Sequence, residues 1–395
     1  MPLAPSVAVI GGGISGPVTA IALAEAGIPA TVFEAAPGPD GTPAGLIALA
    51  PNGVAALDAV GAASAVLDHA QPIAHSVVAV GRKRIPMPAL ADVPPLQVVR
   101  RGDLHRALHD IAVARGIPFE YGKRLVGATP SIGGVTATFA DGTSVRADVL
   151  VGADGVHSGV RRIIDPAAPA AGYTGLLAFE GRTDLDVPGG ADTMTFAFGR
   201  RAYYLYWGLP GGGSVWGANL PSPEPLSRRK AQERPKAEWL KVLADTYAGD
   251  DPGAELVART RPEDLQVTGA LYIMPPVPHW HRDGMVLVGD AAHAPSNSSG
   301  QGASLSIESA VELARCLRDR PDAASAFATY EQLRRARVEG VAARAAKINH
   351  VKAPGPVARA ALPVLMPLVA RYLMRPERTL GPEQRFRIDW AAPVA

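Results

Sequence analysis

The 395-residue sequence predicts an α/β fold: a parallel-sheet domain interleaved with a β-sheet-based second domain, plus C-terminal helices. Three observations predict it. Short apolar strands alternate with Ala-rich helices at the start, as they do in a parallel sheet. Two such strands, far apart in the chain, each end in a glycine-rich turn. Between these turns the pattern changes to the period-two alternation of half-buried strands, and the chain is too long for one compact core.

The first glycine-rich turn follows the strand Val7 to Ile10 and opens a helix from Ile14 to Ala26. It matches G-x-G-x-x-G in the context that this fingerprint requires. The first glycine permits the tight turn, the second lets the backbone approach a pyrophosphate, and the third lets helix and strand pack closely. The residues predicted to bind the cofactor here are Gly11, Gly13, Ile14, Ser15 and Gly16.

The next strand, Ala30 to Phe33, ends at Glu34, about 20 residues after the turn, where an acid binds a ribose 2′-hydroxyl. A carboxylate at this position accepts hydrogen bonds from a free ribose diol and repels a 2′-phosphate. The tightly held dinucleotide is therefore FAD or NAD and not NADP. A glycine-rich turn without any ligand is the alternative, which the combination of strand, helix and acid disfavours.

The second turn makes the pattern specific. Met285 to Ala303, which contains Gly289-Asp290 and Gly300-Gln301-Gly302, resembles the flavin-ribityl segment of the class A flavoprotein monooxygenases, the p-hydroxybenzoate hydroxylase-like family. Val98 to Leu104 and Asp148 to Gly155 resemble two further motifs of that family. The resemblance covers nearly the whole chain and is weakest from Gly172 to Gln266.

The resemblance implies a Rossmann-like FAD-binding domain and assigns roles within it. Asp290, after Gly289, would hold the ribityl chain, and Arg101 would lie near the FAD pyrophosphate. Asp154 would serve both FAD and the incoming nicotinamide. Gly300, Gln301, Gly302 and Ala303 would open a helix whose N-terminal amides face the flavin pyrimidine ring, which becomes anionic on reduction.

The implied activity is that of an FAD-dependent monooxygenase. It would use NAD(P)H and O2 to hydroxylate an aromatic or polyketide-like molecule through a flavin C4a-hydroperoxide. FAD would be tightly bound, and NADPH or NADH would bind transiently, since the sequence has one G-x-G-x-x-G only. Two alternatives stay open: a flavin-dependent oxidase or reductase on the same fold without oxygen transfer, and a non-catalytic protein that keeps FAD for structure.

Two positions depart from the family pattern. Asn297 stands where a proline usually faces the reactive edge of the flavin, although the nearby Pro295 is a candidate to take its place. Glu308-Ser309-Ala310 stands where Glu-Asp-Ala is usual. The change at Asn297 bears on oxygen chemistry and substrate placement, and it keeps the oxidase or reductase alternative open.

The strand Arg200 to Trp207 carries the candidate substrate residues. Alternation places Tyr204 and Tyr206 on one face and Tyr203, Leu205 and Trp207 on the other. One face is expected to line a pocket over the flavin, where a tyrosine could polarise a phenol. Tyr204 and Tyr206, with Asn297, are the candidate positioning residues. The alternative, that these aromatics form the core of the sheet, has equal weight.

The predicted division assigns residues 1–70, 96–170 and 268–350 to the FAD-binding domain and 71–95 and 171–267 to the substrate domain. Residues 351–395 form a C-terminal helical segment, in which Val357 to Met374 is interrupted too often for a membrane span and reads as amphipathic helices.

Bulk properties exclude several classes of protein. The net charge is +2 and no basic face is interleaved with aromatics, so nucleic acid is not an expected partner. Cys316 is the only cysteine, and His105 and His109 lack a third ligand, so no metal site is expected. No secretion leader is expected, because the predicted first strand already begins at Val7. A cytoplasmic enzyme for a small molecule, monomeric or homodimeric and without membrane insertion, is expected.

Overall fold

The computed structural model describes residues 5–39, 45–352 and 376–394, without the side chains of residues 347–352 and 379. Its strands, in chain order, are β1 (Val7–Ile10), β2 (Ala30–Phe33), β3 (Leu46–Leu49), β4 (Gln71–Ile73), β5 (His75–Val80), β6 (Lys83–Pro86), β7 (Leu96–Arg100), β8 (Phe119–Glu120), β9 (Leu125–Ser131), β10 (Gly134–Phe139), β11 (Ser144–Ala147), β12 (Val149–Gly152), β13 (Gly172–Thr183), β14 (Thr193–Phe198), β15 (Tyr203–Gly208), β16 (Ser214–Pro221), β17 (Leu265–Ile273), β18 (His281–Arg282) and β19 (Met285–Leu287).

The helices of the same ranges are α1 (Ser15–Glu25), α2 (Pro51–Asp58), α3 (Ala63–Leu67), α4 (Arg101–Ala114), α5 (Gly159–Ile164), α6 (Arg228–Glu233), α7 (Lys236–Tyr247), α8 (Gly253–Ala258), α9 (Gly302–Asp319), α10 (Ala323–Lys352), α11 (Pro376–Thr379) and α12 (Gly381–Gln384). Short 3₁₀ turns include Gly289–Ala291 and Asn297–Ser299, which lie in the second glycine-rich segment.

A six-stranded sheet with the order β18-β19-β12-β1-β2-β8 forms the first layer. Its central strands are parallel, with β1 between β12 and β2 and with β19 beside β12. These strands are buried apolar runs, as parallel strands covered on both faces should be. The Rossmann-like prediction is confirmed, because a strand–turn–helix unit leads into the centre of the sheet.

A seven-stranded sheet forms the second unit, with the order β17-β13-β16-β15-β14-β5-β6. Its strands are antiparallel except for the pair β5 and β14. Two three-stranded sheets, β3-β7-β4 and β11-β10-β9, complete the fold. The residues of the large sheet come from two separate parts of the chain, so the two units are interleaved.

The structure differs from the sequence prediction at three strands. The predicted strand from Arg200 to Trp207 begins only at Tyr203 and forms a hairpin with β14, because the chain turns tightly at Gly199, whose added Cβ would lie 2.5 Å from the Ala202 carbonyl oxygen. β4 pairs with β7 in a small sheet and does not join the seven-stranded one. β17 continues to Ile273, beyond the predicted boundary at residue 267.

Two main apolar cores result. One surrounds the parallel sheet and includes Cys316 of α9, which is fully buried, so that burial raises the pKa of its thiol to about 12. The other lies between the seven-stranded sheet and the helices α7 and α8. A smaller cluster, including Val98 and Trp207, packs the sheet β3-β7-β4 against the opposite face of the large sheet. That second face is therefore the one turned toward the FAD-binding unit.

The exact domain bounds stay a prediction, and Val357 to Met374 lies outside the described residues. None of the helices described here combines the length and the apolar character that crossing a membrane requires.

Candidate functional site

Three turns that are distant in the sequence meet at the carboxyl edge of the parallel sheet. They follow β1, β12 and β19, which run in the same direction. A Cβ added to Gly11 would lie 2.5 Å from the carbonyl oxygen of Ala153, and one added to Gly289 would lie 2.1 Å from Ser15 Oγ. The turns are in contact, at the edge where open α/β sheets bind their ligands.

The glycines of the first turn divide into two that packing requires and one that faces open space. Gly11 has a φ of 109°, which favours glycine, and a Cβ on Gly16 would approach the Gly11 carbonyl oxygen to 1.8 Å. A Cβ on Gly13 would meet no atom within 4 Å. Gly13 therefore borders a space into which a pyrophosphate can come close to the backbone.

The carboxylate of Glu34 lies beside the first turn and also forms hydrogen bonds that fix its backbone. Its Oε2 accepts a hydrogen bond from Gly12 N at 2.6 Å, and its Oε1 accepts one from Ala36 N at 2.7 Å. On the other side His105 Nε2 lies 2.7 Å from the Gly12 carbonyl oxygen, to which it must donate. Burial lowers the pKa of His105, which favours the neutral ring, and its role is to hydrogen-bond the backbone of the turn. Sequence reasoning rejected His105 as a metal ligand but missed this contact.

The second glycine-rich turn places a carboxyl group beside an arginine. Burial raises the pKa of Asp290, the nearby positive charge of Arg101 opposes that rise, and Ser306 Oγ donates to Asp290 Oδ1 at 3.4 Å. The guanidinium of Arg101 has no hydrogen bond or ion pair with any residue that the structure describes. Asp290 and Arg101 thus offer an acceptor for hydroxyls and an unengaged cation for phosphates.

Asp154 shapes the third turn. Its Oδ2 accepts hydrogen bonds from Gly159 N at 2.7 Å and Val160 N at 3.1 Å, at the start of α5. Its Oδ1 is buried and has no partner among the described residues. Arg161 Nη1 donates to the Ala291 carbonyl oxygen at 2.8 Å, which joins this turn to the second one.

A buried polar network fixes the start of α9, where Gln301 precedes the helix. Asn52 Nδ2 donates to Gln301 Oε1 at 2.9 Å and to Glu308 Oε1 at 2.6 Å. Glu308 also pairs with Arg334 at 2.7 Å and Arg337 at 2.8 Å, and both Glu308 and Arg334 are fully buried. Burial raises the pKa of Glu308, but the two arginines outweigh burial and hold that pKa below its usual value.

Beyond this network the residues of the same segment leave space. Gly300 has a φ of 61°, and a Cβ on Gly300 or Gly302 would meet nothing within 4 Å. Ala303 is only half-buried. His293 is buried, and burial lowers the pKa of its ring to about 3, so it is a neutral partner of Ser309 Oγ at 2.8 Å and not a base.

Asn297 connects the FAD-binding unit to the large sheet. It is exposed, and its Nδ2 donates to Oδ1 of Asn219 on β16 at 3.4 Å. Asn219 is paired with Tyr203, so it shares a face of the sheet with Tyr203, Leu205 and Trp207. Sequence reasoning missed Asn219, because a lone asparagine in a strand carries no signal of its own.

The structure corrects the assignment of Tyr204 and Tyr206. Both lie on the opposite face, in the core beneath α7 and α8, where Tyr204 packs against Tyr247 with ring centroids 5.1 Å apart. Tyr204 OH donates to the Asp251 carbonyl oxygen at 3.4 Å. The choice between the two faces was wrong, because alternation separates them without telling which one helices cover. The alternative reading, that these tyrosines are core residues, holds.

Outside this site the described residues offer no competing one. They contain no cluster of three or more potential metal ligands. An open surface groove on α10, bordered by His281, Glu331, Arg335 and Glu339, is charged and contains none of the candidate residues.

The geometry fits FAD. The features that a flavin dinucleotide needs are open space beside the backbone, acceptors for hydroxyls and a cation for phosphates. The site offers them at Gly13, Gly300 and Gly302, at Glu34 and Asp290, and at Arg101. The fold and site define a dinucleotide-binding flavoprotein. A family model described as an FAD binding domain matches residues 5–180 and 276–345, more than half of the chain.

Known proteins agree. The 3-amino-4-hydroxybenzoate 2-monooxygenase of Streptomyces platensis is 32% identical over 363 residues, covering 88% of each chain. The aurachin C monooxygenase/isomerase of Stigmatella aurantiaca is 29% identical over 354 residues, covering 88% of this chain and 89% of the relative. The structure of Klebsiella pneumoniae HpxO with FAD and uric acid superposes with a TM-score of 0.82 at 24% identity, covering 95% of both chains.

The chain belongs to the FAD-binding family of class A flavoprotein monooxygenases, as the motifs predicted. It is an FAD-dependent monooxygenase, and FAD is its cofactor.

Proposed function

We propose that this monooxygenase uses NAD(P)H and O2 to hydroxylate an aromatic or polyketide-like small molecule. The observation that carries the proposal is the contact of Asn297, which precedes α9, with Asn219 on the face of the large sheet that is turned toward the FAD-binding unit. A ligand on that face would lie between the sheet and the flavin. The named relatives oxidise aromatic molecules and give no support to an oxidase or reductase without oxygen transfer.

The protein's residues would bind and orient FAD as follows. Gly11, Gly13, Ile14, Ser15 and Gly16 would receive the pyrophosphate at the start of α1, with Arg101 as its counter-charge. Glu34 would accept from the ribose, and Asp290, after Gly289, from the ribityl hydroxyls. When bound, FAD supplies the redox chemistry of the reaction.

Two further features would serve the reaction itself. The amides of Gly300, Gln301, Gly302 and Ala303 at the N-terminus of α9 would stabilise negative charge on the reduced ring. Phe196, Leu205 and Trp207, on the sheet face turned toward the FAD-binding unit, would exclude water from the reacting atoms, which limits loss of oxygen as H2O2. Asp154 would lie where FAD and a transient NADPH or NADH both approach.

The cellular setting is part of the proposal. A single buried cysteine suits a reducing compartment, so we place the enzyme in the cytoplasm, as a monomer or homodimer. Size-exclusion chromatography with light scattering would distinguish these two states.

The decisive experiment combines rapid kinetics with isotope labelling. The FAD-loaded enzyme is reduced with NADPH or NADH and mixed with oxygenated buffer, with and without candidate aromatic ligands, while flavin absorbance is recorded. We expect a transient absorbing species before reoxidation and one ¹⁸O atom from ¹⁸O2 in the product. Direct reoxidation to H2O2 with every ligand that binds would overturn oxygen transfer.

A further inference from the structure

Glu180 is an acidic side chain on the face of the large sheet that is turned toward the FAD-binding unit, and no step above uses it. Across the antiparallel strands it is paired with Gly217, and Gly217 is paired with Leu205. Residues paired in this way share a face. Asn219 is two residues beyond Gly217 and therefore lies on the same face. Glu180 is thus a diagonal neighbour of the asparagine that contacts Asn297.

The Gly45–Leu46 segment lies against both oxygens of this carboxyl group but donates a hydrogen bond to only one of them. Leu46 N, at the start of β3, donates to Glu180 Oε1 at 3.0 Å. A Cβ on the adjacent Gly45 would lie 3.5 Å from the same oxygen. Glu180 Oε2 has no hydrogen-bond partner among the residues that the structure describes. Beside it, Gly217 contributes no side chain, and the apolar side chain of Leu205 lies 3.7 Å from where a Cβ on Gly217 would be.

The surroundings of Glu180 stabilise a charged carboxylate poorly. Burial raises its pKa to about 7, and the hydrogen bond from Leu46 and the charge of Arg101 only partly oppose this effect. A half-buried acid with one neutral donor is unfavourable when charged, and such groups concentrate at binding and catalytic sites. The missing second donor points to a ligand.

We propose that Glu180 Oε2 accepts a hydrogen bond from an O–H or N–H group on the aromatic ring of the substrate. The inference rests on the proposed function, since it takes the ligand of this face to be the ring that is oxidised. The hydrogen bond orients the ring between β16 and the Gly45–Leu46 segment, with Leu205 and Phe196 along its apolar side. It also increases the electron density of the ring, which favours attack by an electrophilic oxygen.

The test uses the oxidised, FAD-loaded full chain without a reductant, at pH 8. The probes are two matched pairs, 2-naphthol with 2-methoxynaphthalene and indole with 1-methylindole, whose members differ in one donor. Binding is followed by the change in flavin absorbance. The variants are Glu180→Gln, which keeps an acceptor for Leu46 but presents an NH2 group to the ring, and Glu224→Gln, which removes an exposed negative charge from the same sheet unit.

We expect the wild-type protein to bind each donor roughly 10- to 100-fold more tightly than its methylated partner, the range for a hydrogen bond to a charged group. Glu180→Gln loses most of this preference, and Glu224→Gln keeps it. Equal binding of both members by the wild type, no binding of any probe, or full preference in Glu180→Gln would each overturn the proposal.

This outcome is separable from that of the oxygen-transfer experiment. Donor preference is measured on the oxidised protein, so it persists if the enzyme proves not to insert oxygen. Conversely, ¹⁸O can enter a product in a protein whose probe binding ignores Glu180.

Discussion

The carboxyl group of Glu180 links ligand binding to the pH dependence of folding. Its pKa of about 7 in the folded chain exceeds the ordinary 4.5, so its contribution to stability is fully present below pH 4.5 and is lost as the pH rises through 7. The charged group that faces it is Arg101, while its strand partners Gly217 and Gln266 are uncharged. A group that weakens the fold at neutral pH is consistent with a role in binding.

We therefore expect Glu180→Gln to raise the thermal midpoint of unfolding at pH 8 and to change it little at pH 5. Glutamine keeps the bond to Leu46 and does not ionise. The measurement is differential scanning calorimetry of both FAD-loaded proteins at the two pH values. An equal shift at both pH values would mean that the charge of the Glu180 carboxylate does not destabilise the fold.

Asn297 is the second residue with a sharp expectation. It begins a 3₁₀ turn, where proline is tolerated, and its backbone N donates no hydrogen bond to a described residue. Asn297→Pro should leave the thermal midpoint unchanged and lower the H2O2 formed per NAD(P)H oxidised, because it removes a polar side chain from the position that is expected to face the flavin edge. Asn219→Ala is the control, since it removes the same contact without adding proline. An unchanged H2O2 yield in Asn297→Pro would count against this role.

Single residues also mark the limit of what the sequence could predict. Gly11, Gly13 and Gly16 were predictable, because each has a separate geometric duty within one short motif. Tyr204 and Tyr206 were not, since two-fold alternation defines two faces but the covering helices α7 and α8 come later in the chain. Glu180 belongs to no sequence motif, and only its contact with Leu46 in the folded chain marks it as a candidate binding residue.

The turn between β1 and α1 combines packing and binding in one element. A methyl group on Gly16 would overlap the Gly11 carbonyl oxygen, whereas one on Gly13 would enter open space. We expect Gly16→Ala to lower the free energy of unfolding by at least about 3 kcal/mol. Gly13→Ala should leave the FAD-free protein as stable as the wild type and weaken FAD binding at least tenfold.

Urea unfolding and FAD titration would measure these two effects. Gly127→Ala, in β9 and with no atom near its added Cβ, controls for the substitution itself. The assignment of Gly13 to the cofactor fails if Gly13→Ala binds FAD as the wild type does.

Helix α9 is held in place by charge as well as by apolar packing. Glu308→Gln would leave Arg334 and Arg337 facing each other without their carboxylate, and removing one partner of a buried pair costs about 3–5 kcal/mol. Glu339→Gln, which loses only a partly exposed pair with Arg335, should cost at most about 1 kcal/mol. Denaturant unfolding of both variants provides the comparison, and similar losses would remove the network as the anchor of α9.

On the scale of the whole molecule, the chain passes repeatedly between its two large sheets, the six-stranded and the seven-stranded one. The interleaving was predictable, because glycine-rich motifs at both ends require the chain to return to one sheet. The membership of β4 in a small sheet was not, since three residues cannot specify a pairing partner. Contacts such as that between Leu46 and Glu180 join residues far apart in the chain, so no local sequence pattern predicts them.

This connectivity predicts that the two units unfold together. Trp216 and Trp239 lie in the core of the large sheet, whereas Trp280 lies in the core of the parallel sheet and Trp390 packs against that core. A Trp280→Phe, Trp390→Phe variant therefore confines tryptophan fluorescence to residues packed on the large sheet, while FAD would depend on the other unit. Tryptophan fluorescence and the release of flavin fluorescence should therefore change at the same denaturant concentration. Two separated transitions would indicate that the sheets are independent in stability.

The reactivity of the lone thiol of Cys316 reports how often the protein opens around α9. The thiol is fully buried on α9, the helix whose first turn is expected to face the flavin, and no other cysteine competes for a reagent. A disulfide reagent in excess can reach it only while α9 is detached from the sheet. The rate of colour development then counts how often the native protein opens at its cofactor helix, with no label or substitution introduced.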